Sequence, residues 1–144
     1  MSAPPGYYQP PGATAPIIDP LGSYTDSSGS TAPILAPPGS FVDTIGAVAA
    51  TMDPLGTYTN AAGSSAPTVA PPGSYVGTVG ANAATLDPVG TYTSTAGATA
   101  PIAIPAGYYD PSPSGAPVAS PAGTYIPVSG ATSAAAEIQA PAGY

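Results

Sequence analysis

A motif of the form Pro-x-Gly-x-(Tyr/Phe) returns along the whole chain. Its aromatic residue falls at Tyr8, Tyr24, Phe41, Tyr58, Tyr75, Tyr92, Tyr109 and Tyr125, sixteen or seventeen residues apart. A short, fixed period of this kind means that each repeat is one supersecondary unit that cannot bury a face alone and needs its neighbours. A ninth copy begins at Pro141 and stops at Tyr144, one residue before its aromatic. The expectation is that the Pro4-Pro5-Gly6-Tyr7-Tyr8 end of another copy continues it.

Two versions of the 17-residue unit alternate. PLGSYTDSSGSTAPILA from Pro20, PLGTYTNAAGSSAPTVA from Pro54 and PVGTYTSTAGATAPIAI from Pro88 form one set. PPGSFVDTIGAVAATMD from Pro37 and PPGSYVGTVGANAATLD from Pro71 form the other, so the period in the middle of the chain is 34 residues. The ends depart from the pattern, as terminal repeats of a stack do. Three regions follow: an atypical first repeat or cap over 1–19, regular repeats over 20–104, and divergent repeats or a cap over 105–144.

One unit reads as corner, strand, corner, strand. Asp53-Pro54-Leu55-Gly56 suits a type I turn, with Asp first, Pro second and Gly fourth. Ala70-Pro71-Pro72-Gly73 cannot form the same turn, because Pro is disfavoured at its third position. A type II turn with Gly supplying positive φ would serve both versions. The corner residues are Pro20, Gly22, Pro38, Gly39, Pro54, Gly56, Pro72, Gly73, Pro88, Gly90, Gly107 and Gly123. Thr57-Tyr58-Thr59 then reads as a short strand with Thr59 half exposed. Asn60-Ala61-Ala62-Gly63 is a second corner of type I character, and Ser64 to Val69 can run extended, interrupted at Pro67. Pro and Gly recur too often for helix; only Ala131–Gln139 is free of both, room for about two turns at 3.6 residues each.

The expected fold class is all-β, a repetitive β-solenoid-like stack of about eight 17-residue units. An antiparallel repeat meander, with each unit a hairpin, and a polyproline-II-rich extended fibre are the alternatives. In a solenoid the aromatic ladder (Tyr8, Tyr24, Phe41, Tyr58, Tyr75, Tyr92, Tyr109, Tyr125) would be the packing spine, its members ~4.8 Å apart along the axis.

Residue types that are missing narrow the function further. There is no Lys, Arg, His, Cys or Trp, and the seven acids give a net charge of −7. Nucleic acid is excluded as a partner, since nothing neutralises phosphate. Disulfides, thiolate metal sites and histidine-based catalysis are excluded too. No apolar run approaches the ~20 residues of a membrane span, and Met1–Gln9 lacks the basic and apolar regions of a secretory signal. Membrane insertion is not expected. Ala, Gly, Pro, Ser and Thr make up 100 of the 144 residues. Such small side chains bury little area each, so association of the chain with itself is the natural source of further stability.

Three groups of residues invite a chemical reading. Asp19, Asp53 and Asp87 recur every 34 residues; they read as side chains that close Asp-Pro turns rather than as a calcium ladder, since neighbours would lie ~9.6 Å apart. A two-carboxylate hydrolase would need its acids within roughly 5–9.5 Å, and a row of this spacing does not supply that. Thr57-Tyr58-Thr59 and Thr91-Tyr92-Thr93 resemble the Thr-x-Thr ranks of ice-binding solenoids, but Ser40-Phe41-Val42 and Ser74-Tyr75-Val76 break the rank. Ser and Thr beside Pro suit O-linked glycans. No catalytic residue, cofactor or metal site is assigned, and the chain is expected not to be an enzyme.

The phrases DPLGTYT, APPGSY and PAGTYIPVSGATSAAAEI resemble tandem repeats of very large bacterial proteins that are secreted or surface-exposed, and the resemblance covers most of the chain. The resemblance implies an extracellular or cell-surface structural region and carries no catalytic residue with it. The expected function is therefore a self-associating structural protein of extracellular filaments or a surface layer. The rival is a binding module that presents a Thr/Tyr face to ice or glycan.

Overall fold

The computed structural model describes residues 2–112 and 115–141. The last residues of the incomplete ninth repeat, 142–144, lie outside the described residues. The chain is all-β: among the described residues sixteen strands of two residues each pair as eight separate antiparallel hairpins, with one 3-10 turn. In the first four hairpins β1 (Tyr7–Tyr8) pairs with β2 (Ile17–Ile18), β3 (Ser23–Tyr24) with β4 (Ile34–Leu35), β5 (Ser40–Phe41) with β6 (Thr51–Met52) and β7 (Thr57–Tyr58) with β8 (Thr68–Val69). In the last four β9 (Ser74–Tyr75) pairs with β10 (Thr85–Leu86), β11 (Thr91–Tyr92) with β12 (Ile102–Ala103), β13 (Tyr108–Tyr109) with β14 (Val118–Ala119) and β15 (Thr124–Tyr125) with β16 (Ile138–Gln139). Each 17-residue unit is thus one hairpin, whose two strands pair with each other.

The Pro-x-Gly corner launches each first strand. The Thr57 N–H donates to the Pro54 carbonyl at 3.2 Å, and Gly56 between them has φ 79°. Gly therefore sits third in the turn, as type II geometry requires. The type I reading, with Asp53 first and Gly56 fourth, is corrected by this bond. Pro37-Pro38-Gly39-Ser40 forms the same turn, with Ser40 N–H on the Pro37 carbonyl at 3.1 Å. One geometry serves both versions because Pro is welcome in second position and Gly alone adopts positive φ cheaply. The Ser or Thr that closes the turn adds a second bond to the same carbonyl: Thr57 Oγ1 to Pro54 O at 2.8 Å, Ser40 Oγ to Pro37 O at 2.7 Å.

The second corner is also shifted by one residue from the type I expectation. In the first repeat Ala13 N–H donates to the Pro10 carbonyl across Gly12, φ 88°. In the fourth, the Ser64 hydroxyl donates to the Ala61 carbonyl across Gly63, φ 80°. Gly is again third. The extended run expected over Ser64–Val69 shortens to Thr68–Val69, because Pro67 has no N–H for a ladder and the paired strand begins directly after it. Near the C-terminus the two turns expected over Ala131–Gln139 reduce to a 3-10 turn at Ala134–Ala136, followed by β16. The extra residues of this repeat lie in the connection and leave the β15–β16 pairing in place.

Contacts divide the chain into two compact units, Met1–Val69 with Thr78–Ala83, and Ala70–Gly77 with Ala84–Tyr144. In the first, successive hairpins are joined by three recurring backbone bonds. The corner Gly donates to the next hairpin, as Gly22 N–H to Val42 O at 2.8 Å. The residue after the aromatic does likewise, as Val42 N–H to Ser64 O at 3.0 Å. The second-corner Gly donates back, as Gly63 N–H to Ala36 O at 2.8 Å. The second compact unit repeats the set with Gly73 N–H to Thr93 O, Val76 N–H to Ala98 O and Gly97 N–H to Ala70 O, at 2.9, 2.9 and 2.8 Å. These bonds satisfy corner amides that a lone hairpin would leave to water.

Alternate hairpins also meet. A Cβ placed on Gly22 would collide with the carbonyl oxygen of Gly63, and one on Gly39 with that of Gly80. Second-strand side chains lie over the same corners: the Leu35 and Met52 tips lie close to where Gly63 and Gly80 would carry a Cβ. Only Gly allows both the backbone contact and the positive φ.

Candidate functional site

Two positions per repeat supply most of the buried side chains. One precedes the corner Pro (Ala3, Asp19, Ala36, Asp53, Ala70, Asp87, Ile104) and the other follows the aromatic (Thr25, Val42, Thr59, Val76, Thr93, Asp110, Ile126). Each of these is buried. Their identities change together: Asp goes with Thr, and Ala with Val. The interior of the regular repeats is therefore a sequence of polar and apolar layers, and this is the physical content of the 34-residue period.

In a polar layer the Thr hydroxyl is the hub. Thr25 Oγ1 lies 2.7 Å from Asp19 Oδ2 and 3.1 Å from the Tyr7 carbonyl oxygen. Thr93 Oγ1 lies 2.8 Å from Asp87 Oδ2 and 3.2 Å from the Ser74 carbonyl, and it accepts the Gly73 N–H at 2.9 Å. Thr59 accepts the Gly39 N–H at 2.9 Å and approaches the Ser40 carbonyl at 3.1 Å. Each Thr thus reaches back to the corner or first strand of the preceding hairpin, a bond that Val in the apolar layers cannot make. Thr59, expected to be half exposed, is 2 % exposed; the corner it serves lies inside.

The carboxylates are less well provided for. Oδ1 of Asp19, Oδ1 of Asp87, both oxygens of Asp53 and Oδ2 of Asp110 are buried without a hydrogen-bond partner. The expectation that Asp19, Asp53 and Asp87 close their Asp-Pro turns is corrected: the turn is closed from Pro onward, and the carboxylates point to the interior. Asp26 and Asp43 are exposed. Among the described residues no group of three or more acids comes together as a metal-ligand set.

The residues singled out from the sequence occupy regular places. Pro20, Pro54 and Pro88 give the carbonyl that accepts the corner bond. Pro38 and Pro72 stand second in their turns, and Gly22, Gly39, Gly56, Gly73, Gly90, Gly107 and Gly123 stand third, all at positive φ. Tyr8, Tyr24, Phe41, Tyr58, Tyr75, Tyr92, Tyr109 and Tyr125 each end the first strand of their hairpin, half-buried except Tyr125, which is exposed. Of each Thr-x-Thr motif only the first Thr reaches the surface. Thr57 and Thr91 are half-buried and bonded to the corner carbonyl, while Thr59 and Thr93 are interior. The buried Asp–Thr pairing was not singled out from the sequence; the concerted change at the two flanking positions is the signal that reveals it.

Among the described residues no helix is long and apolar enough to cross a membrane. No protein-family model matches the chain, and no curated protein matches it.

Proposed function

We propose that this is a structural repeat protein that stacks its hairpins in solenoid fashion and associates with itself into filaments or a layer outside the cell. The observation that carries the reading is the row of exposed apolar residues on the second strands. Ile34, Leu35, Met52 and Val69 in one compact unit, and Leu86, Ile102 and Val118 in the other, are all exposed. Every second strand carries at least one large apolar residue that is uncovered, at its first or its second position, and among the described residues every sheet has only two strands. Unpaired edges beside apolar side chains, with no Lys to keep chains apart, favour addition of further chains. The extracellular placement rests on the repeat resemblance.

Light scattering and negative-stain microscopy across a concentration series test this reading. Growth of regular fibrils or sheets is the expected result. A monodisperse 13.7 kDa monomer at high concentration would overturn it.

A further inference from the structure

Two of the buried acids are unlike the others in their surroundings. Asp87 and Asp110, both in the second compact unit, line one cavity of about 320 Å³, together with Thr91, Ile104 and Thr132. Asp87 is 7 % and Asp110 6 % exposed. Asp87 spends Oδ2 on the Thr93 hydroxyl and Asp110 spends Oδ1 on the Ser112 N–H at 2.8 Å. That leaves Asp87 Oδ1 and Asp110 Oδ2 buried and without partners. Asp110 also breaks the repeat pattern: it stands after the aromatic, where the regular repeats place Thr or Val. Here a hairpin adds a second acid to the interior beside one that the pattern already supplies.

A carboxylate taken out of water without a partner costs several kcal/mol, and the chain has no Lys, Arg or His to offer. A cation from solution is the remaining source of positive charge. The available ligands are oxygens only, which selects a hard ion, and two carboxylates completed by waters suit the flexible coordination of Ca²⁺ better than that of Mg²⁺, whose octahedron is strict. Ca²⁺ also approaches oxygen to 2.3–2.6 Å, closer than a water molecule does, so it reaches carboxylate oxygens that water does not. Thr91 and Thr132 also line the cavity, which has room for coordinating waters.

We propose that the cavity between Asp87 and Asp110 is a Ca²⁺ site, with the two free carboxylate oxygens as its charged ligands. Two carboxylates with waters form a modest site, with Kd in the ~0.1–1 mM range of extracellular calcium modules. A bound ion would tie β11 and its corner to the start of the divergent repeats.

The test uses the full chain and Tb³⁺ as a luminescent stand-in for Ca²⁺, excited through the protein's own tyrosines, with calorimetric Ca²⁺ titration beside it. One saturable site is expected, displaced by excess Ca²⁺, and a melting temperature that rises with Ca²⁺. Asp110→Thr installs the residue that Thr93 shows is tolerated at this position, so it removes the carboxylate and keeps the fold. It should weaken binding about tenfold or more, since even a partner outside the coordination shell is worth ~10–100-fold. Asp87→Ala, which copies the small residue that Ala70 places before the preceding corner, should do the same. Asp26→Asn, at an exposed acid, and Asp53→Asn, at a buried acid that does not line the cavity, should leave binding unchanged. Absence of saturable binding up to ~10 mM Ca²⁺, well above the module range, overturns the proposal. So does equal loss in Asp53→Asn, which would place the ion on the Asp row, or in Asp26→Asn, which would mean diffuse attraction to an acidic chain.

Discussion

The Thr25 hydroxyl lies 2.7 Å from the Asp19 carboxylate, and both side chains are fully buried. The next hairpin puts Val42 and Ala36 in the same two places. The two versions of the repeat are thus two ways of filling one interior site: a carboxylate with a hydroxyl, or a methyl group with an isopropyl. Neighbouring hairpins are inequivalent because the Thr of one reaches back to the strand of the one before, as Thr25 does to the Tyr7 carbonyl at 3.1 Å.

The pair should therefore behave as a unit. Thr25→Val alone removes the partner of Asp19 Oδ2 and should cost ~1–3 kcal/mol, the penalty for a buried polar group left unpaired. Adding Asp19→Ala rebuilds the Ala36–Val42 arrangement and should recover most of that loss. Urea unfolding of the two single variants and the double variant measures the coupling. Strictly additive effects would show that the carboxylate and hydroxyl do not depend on each other.

Much of the fold is legible in the repeat, and what is not has a local cause. Pro-x-Gly and the strand after it can be read because Pro and Gly restrict φ directly, and the all-β class follows. The turn register cannot be read from Asp53-Pro54-Leu55-Gly56, since Asp-Pro-x-Gly satisfies a type I turn as well as Pro-Leu-Gly-Thr satisfies a type II turn. The doubled Pro71-Pro72 is the tie-breaker, because it forbids the first. Alternation along a strand could not reveal the interior, as strands of two residues have no period to display. Thr59 looked half exposed for that reason. Its burial follows from contact with Gly39 of the preceding hairpin, which no pattern within one repeat encodes. Asp110 is legible only as an exception to the repeat, and its cavity depends on how the divergent repeats pack.

Gly22 and Gly107 separate two roles of the corner glycine. Both have positive φ, 80° and 86°. A Cβ on Gly22 would collide with the Gly63 carbonyl, whereas one on Gly107 meets nothing within 4 Å. Gly107→Ala should cost only the left-handed backbone penalty of ~1–2 kcal/mol. Gly22→Ala should cost clearly more, because it must also push two hairpins apart. Thermal melts of the two variants decide the point; equal losses would mean that alternate hairpins are not held in contact.

Exposed second-strand residues should matter for association and not for folding. Val69 and Leu86 are 51 % and 78 % exposed. Val69→Lys and Leu86→Lys should each leave stability within ~0.5 kcal/mol, as surface substitutions do, while raising the concentration needed for assembly. Melting of the dilute protein and light scattering of the concentrated protein are read side by side. A Lys variant that assembles as readily as the parent would remove this row from the interface.

The connection between strands should tolerate length changes that the inward positions do not. Ala134–Ala136 form a 3-10 turn with no buried residue, after Ala131 has accepted the Asp110 N–H at 3.0 Å and before β16 pairs with β15. Deleting these three residues restores the connection length found between Gly80 and Thr85 and should change stability by no more than ~0.5 kcal/mol. One Ala inserted between Phe41 and Val42 is a smaller change in length but a larger one in structure. It turns Val42, 2 % exposed, to the opposite face and breaks the register with the next hairpin. The loss of that burial alone is ~1.5–3 kcal/mol, and the bond from Val42 N–H to Ser64 O goes with it. Circular dichroism and urea titration of the two variants give the comparison. An insertion as harmless as the deletion would mean that the repeat length does not hold the hairpins in register.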